Sequence, residues 1–320
     1  MAVALNEMTS LRAHRRGGPE VLVVERAPVP VAGDGEVLVS VHAAAITFDE
    51  LTWEETWTRD GVSRTPVIPS HEVSGVVSEM GSGVTDFQPG DEVYGLIEFD
   101  RDGAAADFVA MPAADLAAKP STVSHSAAAA LPLAGLTAVQ ALIDHAAVRP
   151  GESVLVHGGA GGVGALAVQL AAILGAEVTA TIRSDTGELV RGFGARQVID
   201  VRTAAFDEAG APYDVVIDTV GGQTLDRSFG VLRRGGRLVT LSAPLDLLKK
   251  DRPAEYGVTA TFFIVTPNRS QLGQLAALVD AGRLHVEIAQ TFPLAEGRAA
   301  FESGARPRRR AGKTVLLVRD

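Results

Sequence analysis

Six residues, Gly159-Ala160-Gly161-Gly162-Val163-Gly164, have the types and spacing to bind a phosphorylated ligand. In a G-x-G-x-x-G turn the first glycine permits a tight bend and the second lets a pyrophosphate approach the backbone. The third lets the following helix lie close to the strand, and the helix N-terminus faces the anion with open amides. The flanking residues predict that context. "SVLVH" is apolar and β-branched, as a buried parallel strand is, and "GALAVQLAAILGA" is Ala/Leu-rich and closes on Gly175, as a buried helix does. Five glycines within His157–Gly164 argue against a membrane span. The expected role is dinucleotide binding, with Gly161, Gly162 and Val163 offering amides to the pyrophosphate. A ligand-free βα turn is the alternative.

The next strand, "EVTATI" (Glu177–Ile182), bears on which dinucleotide is bound. An acid at the end of this strand takes the ribose hydroxyls of NAD, whereas a basic residue there suits the 2′-phosphate of NADP. Here the strand runs into Arg183 and Ser184, which predicts NADPH as the cofactor. Asp185 competes, but Asp185-x-x-Glu188 reads as a helix capping box. Further on, "DTGELVRGFGA" reads as a helix ending in Gly194. "QVIDV", "DVVIDTVGG", "RLVTLSA" and "VTATFFIV" read as strands. Strands alternating with helices predict an α/β fold with a Rossmann, doubly wound parallel sheet.

Composition sets the bounds. A chain of 320 residues has room for two domains, and 46% apolar with 21% charged residues is an ordinary globular profile. A net charge of −10 argues against nucleic acid or an anionic membrane as partner. The basic run Arg306–Lys313 reads as a solvated turn. There is no cysteine, which excludes disulfides and every zinc site that needs sulfur. "MAVALNEMTSLRAHRR" lacks the apolar core of a signal peptide, so a cytoplasmic location is expected.

"GGAGGVGALAVQLA", with "ALPLAGLTAVQAL", "HEVSGVV" and "GDEVYG", resembles the medium-chain dehydrogenase/reductase superfamily, and within it the zinc-independent, quinone oxidoreductase-like branch. The resemblance runs from about "GGPEVLVVE" to "GKTVLLV". It implies a GroES-like β-barrel catalytic domain over 1–120 and 285–320 and a Rossmann NADP(H)-binding domain over 121–284. The short alternating runs "EVLVSVHAAAI" and "HEVSGVVSEMGSGV" suit the former. By similarity Thr137 approaches the nicotinamide ribose or phosphate, and Thr219 and Val220 border the adenosine half. Ser242, Ala243, Phe262, Phe263 and Ile264 border the nicotinamide half. Each has a bland alternative as a strand-end or core residue. Lys313 reads equally as a phosphate contact or as an exposed lysine.

In zinc-dependent relatives a His-Glu pair follows a glycine and helps hold the metal with an upstream cysteine. In this chain His71-Glu72 follows Ser70, and the cysteine position falls within "AAAITFDELTWEE". The four-cysteine lobe of a structural zinc is replaced by "YGLIEFDRDGAAADFV". A sulfur-free site of His71 with Asp49 or Glu50 departs from the ligands zinc favours, so no metal is expected. In this superfamily alcohol oxidation relies on a Lewis acid to lower the alkoxide's pKa, whereas a quinone or an enone is already polarised. The expected activity is therefore NADPH-dependent hydride transfer to a quinone or an α,β-unsaturated carbonyl. The alternatives are an enoyl-type reductase tailoring one biosynthetic intermediate and a non-catalytic NADPH-binding protein. The catalytic residues are not marked, because Thr47-Phe48-Asp49-Glu50 departs from the Asn-Pro-x-Asp of related branches. Phe48, Trp53, Trp57 and Tyr94 are either an aromatic wall for a flat substrate or ordinary core.

Val258–Val265 carries no proline, lysine or charge, and by similarity it is the edge of the Rossmann sheet. An apolar edge invites pairing with a second chain, which predicts a homodimer.

Overall fold

The computed structural model describes residues 7–208, 212–242, 251–306 and 310–319. They form two compact units, one of Ala134–Val265 with Arg283–His285 and the other of the remaining segments.

The Ala134–Val265 unit holds a six-stranded sheet, parallel throughout. Its strands in chain order are Ser153–Val156, Glu177–Ile182, Gln197–Asp200, Tyr213–Asp218, Leu232–Thr240 and Thr259–Phe262. Their spatial order is third, second, first, fourth, fifth, sixth, the Rossmann arrangement. The order reverses direction beside the first strand, and this is where α/β sheets bind ligands. Val154, Leu155 and Val156 are fully buried, as a strand covered on both faces requires. The helix Gly162–Ile173 follows the first strand and buries every residue from Gly164 to Ala171. A second core gathers Leu155, Phe206, Val216, Leu225 and Phe229 on one face of the sheet.

The sixth strand is shorter than "VTATFFIV" suggests, and it lies at the sheet edge. The helix after the second strand spans Gly187–Gly192, and its N-cap Thr186 makes no side-chain cap bond. Asp185 is therefore not a capping residue. Its carboxylate accepts from Arg202 Nη2 at 2.7 Å.

The other unit is built on a seven-stranded sheet whose long strand, Glu36–Ile46, lies between Lys313–Leu317 and Glu72–Met80, antiparallel to both. Its cores collect Val37, Val39, Val73, Val93 and Met111 on one side, and Leu11, Leu51, Trp57, Ile68 and Phe301 on another. The helix Arg269–Asp280 belongs to this unit, although the expected Rossmann boundary at 284 assigns it elsewhere. Specific polar contacts anchor it. Arg269 Nε donates to Leu116 O at 2.9 Å, and Tyr94 Oη donates to Leu272 O at 2.6 Å. Asp280 accepts from the amides of Ser121 and Thr122. Single-residue hydrophobicity cannot reveal such contacts.

Candidate active site

In the nucleotide unit the glycine turn follows the first strand. Gly158 has φ +72°, a conformation glycine adopts without strain, and a Cβ there would lie 2.6 Å from Thr219 Oγ1. A Cβ on Gly164 would lie 2.1 Å from Gly158 O, so only glycine lets this helix pack against its turn. Gly159 donates to Thr181 O, tying the turn to the second strand. The Gly161 amide is already donated to Gly158 O at 2.8 Å. It closes the turn rather than facing outward, and Gly162 and Val163 supply the open amides of the helix's first turn.

A buried polar network beneath the turn went unseen in the sequence. Ser228 Oγ spends its proton on Thr224 O, so it accepts from His157 Nε2 at 3.0 Å. The neutral ring's Nδ1 then accepts from the Thr181 hydroxyl at 3.1 Å, and Thr181 Oγ1 also accepts from Gly158 N. Burial pushes His157 down to about 4, so the ring is neutral near pH 7. Its carbonyl accepts from Thr219 Oγ1 at 2.8 Å. Asp218, at the end of the fourth strand, accepts from Val220 N, Gly221 N, Thr240 Oγ1 and Ser242 Oγ. A carboxylate ending a run of apolar residues was the one sequence signal for this network.

At the end of the second strand Arg183 is exposed and has no partner among the described residues. Ser184 Oγ lies 2.7 Å from Thr186 Oγ1. Arg202, beyond the third strand, bonds both Asp200 and Asp185. These bonds hold the Asp200 carboxyl below its ordinary range and the Arg202 guanidinium above its own. Thr137 is buried on the helix Pro132–Val139. Val220 and Ile264 are exposed, and Phe262 ends the edge strand. Phe263 lies against the His145 ring at 4.2 Å. Ala243 lies outside the described residues.

In the other unit, strand register assembles a second polar group. Thr314 pairs with Ile46, which sets Lys313 opposite Thr47, and Ala45 pairs with Glu72. Side chains alternate along a strand, so Ala45 and Thr47 share a face, and Lys313, Thr47 and Glu72 meet there. Lys313 is 8% exposed, ion-pairs with Glu72 and donates to Thr47 Oγ1 at 3.2 Å. It is not an exposed lysine. Glu72 Oε1 also accepts from Leu133 N at 3.0 Å. Glu50 is fully enclosed, accepts from Ser70 N at 3.1 Å, and is pushed up to about 8 by burial. His71 Nε2 lies 4.0 Å from Glu50 Oε2, and both ring nitrogens lack hydrogen bonds among the described residues. Burial, and then Arg64, push His71 down to about 3.

The four aromatic candidates separate. Tyr94 is fully buried, and Trp57 is core, donating from Nε1 to Leu51 O at 2.8 Å. Both take the core alternative. Phe48 is half-buried and packs on Gly304, and Trp53 meets Phe99 edge-on at 5.2 Å. Phe99 in turn meets His71 at 5.2 Å.

Comparison with known proteins agrees with both halves. The alcohol dehydrogenase GroES-like domain model matches residues 33–121 and the zinc-binding dehydrogenase model residues 193–316. The human mitochondrial NAD(P)H oxidoreductase RTN4IP1 is 32% identical over 88% of this chain and 82% of its own length. An NADPH-dependent alkenal/one oxidoreductase from Arabidopsis thaliana chloroplasts is 33% identical over 89% of this chain and 73% of its own. The structure of the quinone oxidoreductase from Coxiella burnetii superposes with a TM-score of 0.89 at 31% identity, covering 98% of this chain and 100% of that one. The chain belongs to the medium-chain dehydrogenase/reductase superfamily, in its zinc-independent, quinone oxidoreductase-like branch. Such a protein is an oxidoreductase that uses a nicotinamide cofactor and a small-molecule substrate.

The glycine turn and its open amides fit a dinucleotide. The donors around His71 do not fit a catalytic zinc. The chain has no thiolate, and Glu72 is held by the Lys313 ammonium. Among the described residues no group of three or more His, Asp and Glu side chains is arranged to hold a metal ion.

Proposed function

We propose that this chain is an NADPH-dependent reductase of quinones and α,β-unsaturated carbonyls that works without a metal ion. One observation carries the reaction class: where relatives hold zinc, this chain offers no cysteine and its Glu72 is ion-paired with Lys313. Lewis-acid activation of an alcohol has no support from such a set, while a conjugated carbonyl needs only orientation and hydrogen bonds.

The bound cofactor supplies a hydride. Gly162 and Val163 give amides to its pyrophosphate, and the His157 network fixes the turn that aims them. Arg183 with Ser184 takes the 2′-phosphate. Asp185, the acid that would favour NAD, is engaged by Arg202. Thr137, Thr219, Val220, Ser242, Phe262, Phe263 and Ile264 remain assigned to the cofactor's border. Phe48 and Trp53 are the aromatic candidates left for the substrate.

The same reading includes a homodimer through Thr259–Phe262, supported by this strand's place at the end of the sheet, with one neighbouring strand among the described residues. It keeps a cytoplasmic location, supported by a chain with no cysteine to stabilise it in an oxidising compartment. Among the described residues no helix is long and apolar enough to cross a membrane.

The test is NADPH consumption against a panel of quinones and enones. Turnover of both classes supports the reading. One enone far better than any quinone favours a dedicated enoyl-type reductase, and tight NADPH binding without turnover of any acceptor favours a binding protein.

A further inference from the structure

We infer that Thr47 is a catalytic residue whose hydroxyl donates a hydrogen bond to the substrate's carbonyl oxygen, with Lys313 and Glu72 as the residues that position and polarise it. The inference rests on the reductase reading above and adds to it the group that meets the developing negative charge.

Three adjacent strands converge on this hydroxyl. Lys313 Nζ donates to Thr47 Oγ1 at 3.2 Å, so the oxygen is already serving as an acceptor. Among the described residues nothing accepts the hydroxyl's own proton, and Thr47 is half-buried rather than enclosed. A hydroxyl that accepts from a cation and has a free proton is a strengthened donor, because polarisation passes along the chain. Lys313 cannot swing away, since it is ion-paired with Glu72, which Leu133 N holds in turn. The backbone behind Thr47 is fixed as well. Its amide donates to Glu50 Oε1 at 3.4 Å, and its carbonyl accepts from Glu50 N at 3.1 Å.

The chemistry has a place for such a donor. When hydride adds to the β-carbon of an enone, the C=C pair shifts toward the carbonyl carbon and the carbonyl π pair moves onto oxygen. The product is an enolate and the oxidised cofactor. The α-carbon then takes a proton from water, which completes the saturated ketone. A quinone such as 9,10-phenanthrenequinone takes the hydride at a carbonyl carbon, and the alkoxide oxygen takes a proton from water. The resulting hydroxy ketone then loses that carbon-bound hydrogen as a proton to water while the second carbonyl oxygen gains one, giving the hydroquinone. In each case negative charge grows on the carbonyl oxygen in the transition state. A fixed donor aimed there lowers the barrier without binding the ground state equally well.

The test uses the full-length protein with NADPH and two acceptors, 9,10-phenanthrenequinone and 3-penten-2-one. Thr47→Val removes the hydroxyl at nearly constant volume, and Thr47→Ala serves if valine does not pack. The expected result is a fall in kcat of about 10²-fold on the enone, a smaller fall on the more electrophilic quinone, and an unchanged Kd for NADPH. Thr47→Ser should recover most of the loss. Independently of turnover, the C=O stretch of 2-cyclohexen-1-one bound to the protein–NADP⁺ complex should lie lower in the native and serine proteins than in the valine variant. If the native protein reduces both acceptors and Thr47→Val does so equally well with the same stretch, Thr47 is not the donor and the reductase reading stands. If the native protein binds NADPH but reduces neither acceptor, the reductase reading fails and takes this inference with it.

Discussion

Arg202 Nη2 holds Asp185 Oδ1 at 2.7 Å, and Arg183, two residues earlier, has no partner among the described residues. The acid that would favour an unphosphorylated ribose is ion-paired, and the base that would meet a phosphate has no partner among the described residues. Arg183→Ala should therefore weaken NADPH binding by about ten- to hundredfold, the worth of a charge-assisted bond. NADH binding should change little. Arg202→Ala should also narrow the preference, because it releases Asp185 and Asp200 into the same neighbourhood. Fluorescence titration with both cofactors measures each effect, and equal weakening of the two by Arg183→Ala would remove the phosphate contact.

Ser70 presents two costs at one position. Its φ of +72° lies in the left-handed region, and its buried hydroxyl finds no partner among the described residues. Both costs vanish with glycine, while the Ser70 amide keeps its bond to Glu50. Ser70→Gly should raise stability by about 1–2 kcal/mol in denaturant unfolding. A loss of stability would mean that the hydroxyl has a partner.

Much of the nucleotide unit was legible because its signals are local. "EVTATI" is a strand over its whole length, and "EVLVSVHAAAI" in the other unit coincides with the strand Glu36–Ile46. The helix after the glycine turn and the edge position of the sixth strand also follow from neighbouring residues and the resemblance. Lys313, Thr47 and Glu72 are far apart in sequence, and only strand register brings them together. No periodicity reports that. Tyr94 and Trp57 could not be separated from Phe48 and Trp53 for a related reason: burial of an aromatic depends on what packs from elsewhere. Asp185 misled because Asp-x-x-Glu fits a capping box as well as it fits a surface ion pair.

Glu50 gives a signed pH dependence. Burial raises it from the ordinary 4.5 to about 8, so the folded chain keeps a proton that the unfolded chain releases. Its stabilising contribution is complete below pH 4.5 and is lost as pH rises toward 8. His71, lowered to about 3, and His157, lowered to about 4, act oppositely. Their contributions are present above the ordinary 6.5 and are lost as pH falls through those values. Between pH 7 and 8 Glu50 is the one of the three still titrating. Unfolding free energy should fall there by about 1 kcal/mol, and Glu50→Gln should flatten the slope. The same slope in both proteins would show that Glu50 is already ionised.

The sheet edge predicts assembly. Among the described residues Thr259–Phe262 has one neighbouring strand, and the account pairs its other side antiparallel with a second chain. Light scattering should report a dimer for the native protein. Phe263→Lys places a charge beside that edge and should give monomers or aggregates. A native protein that stays monomeric at working concentration rules this assembly out.

The central claim is metal-free reduction of a conjugated carbonyl by NADPH, and one assay addresses it directly. Protein treated with a chelator and shown by elemental analysis to lack zinc is given NADPH or NADH with 9,10-phenanthrenequinone and, separately, 3-penten-2-one. The account predicts undiminished reduction of both acceptors, with kcat/KM for NADPH exceeding that for NADH by about tenfold or more. Activity that vanishes with the chelator and returns with about one zinc per chain, or turnover confined to an alcohol with an oxidised cofactor, would contradict it.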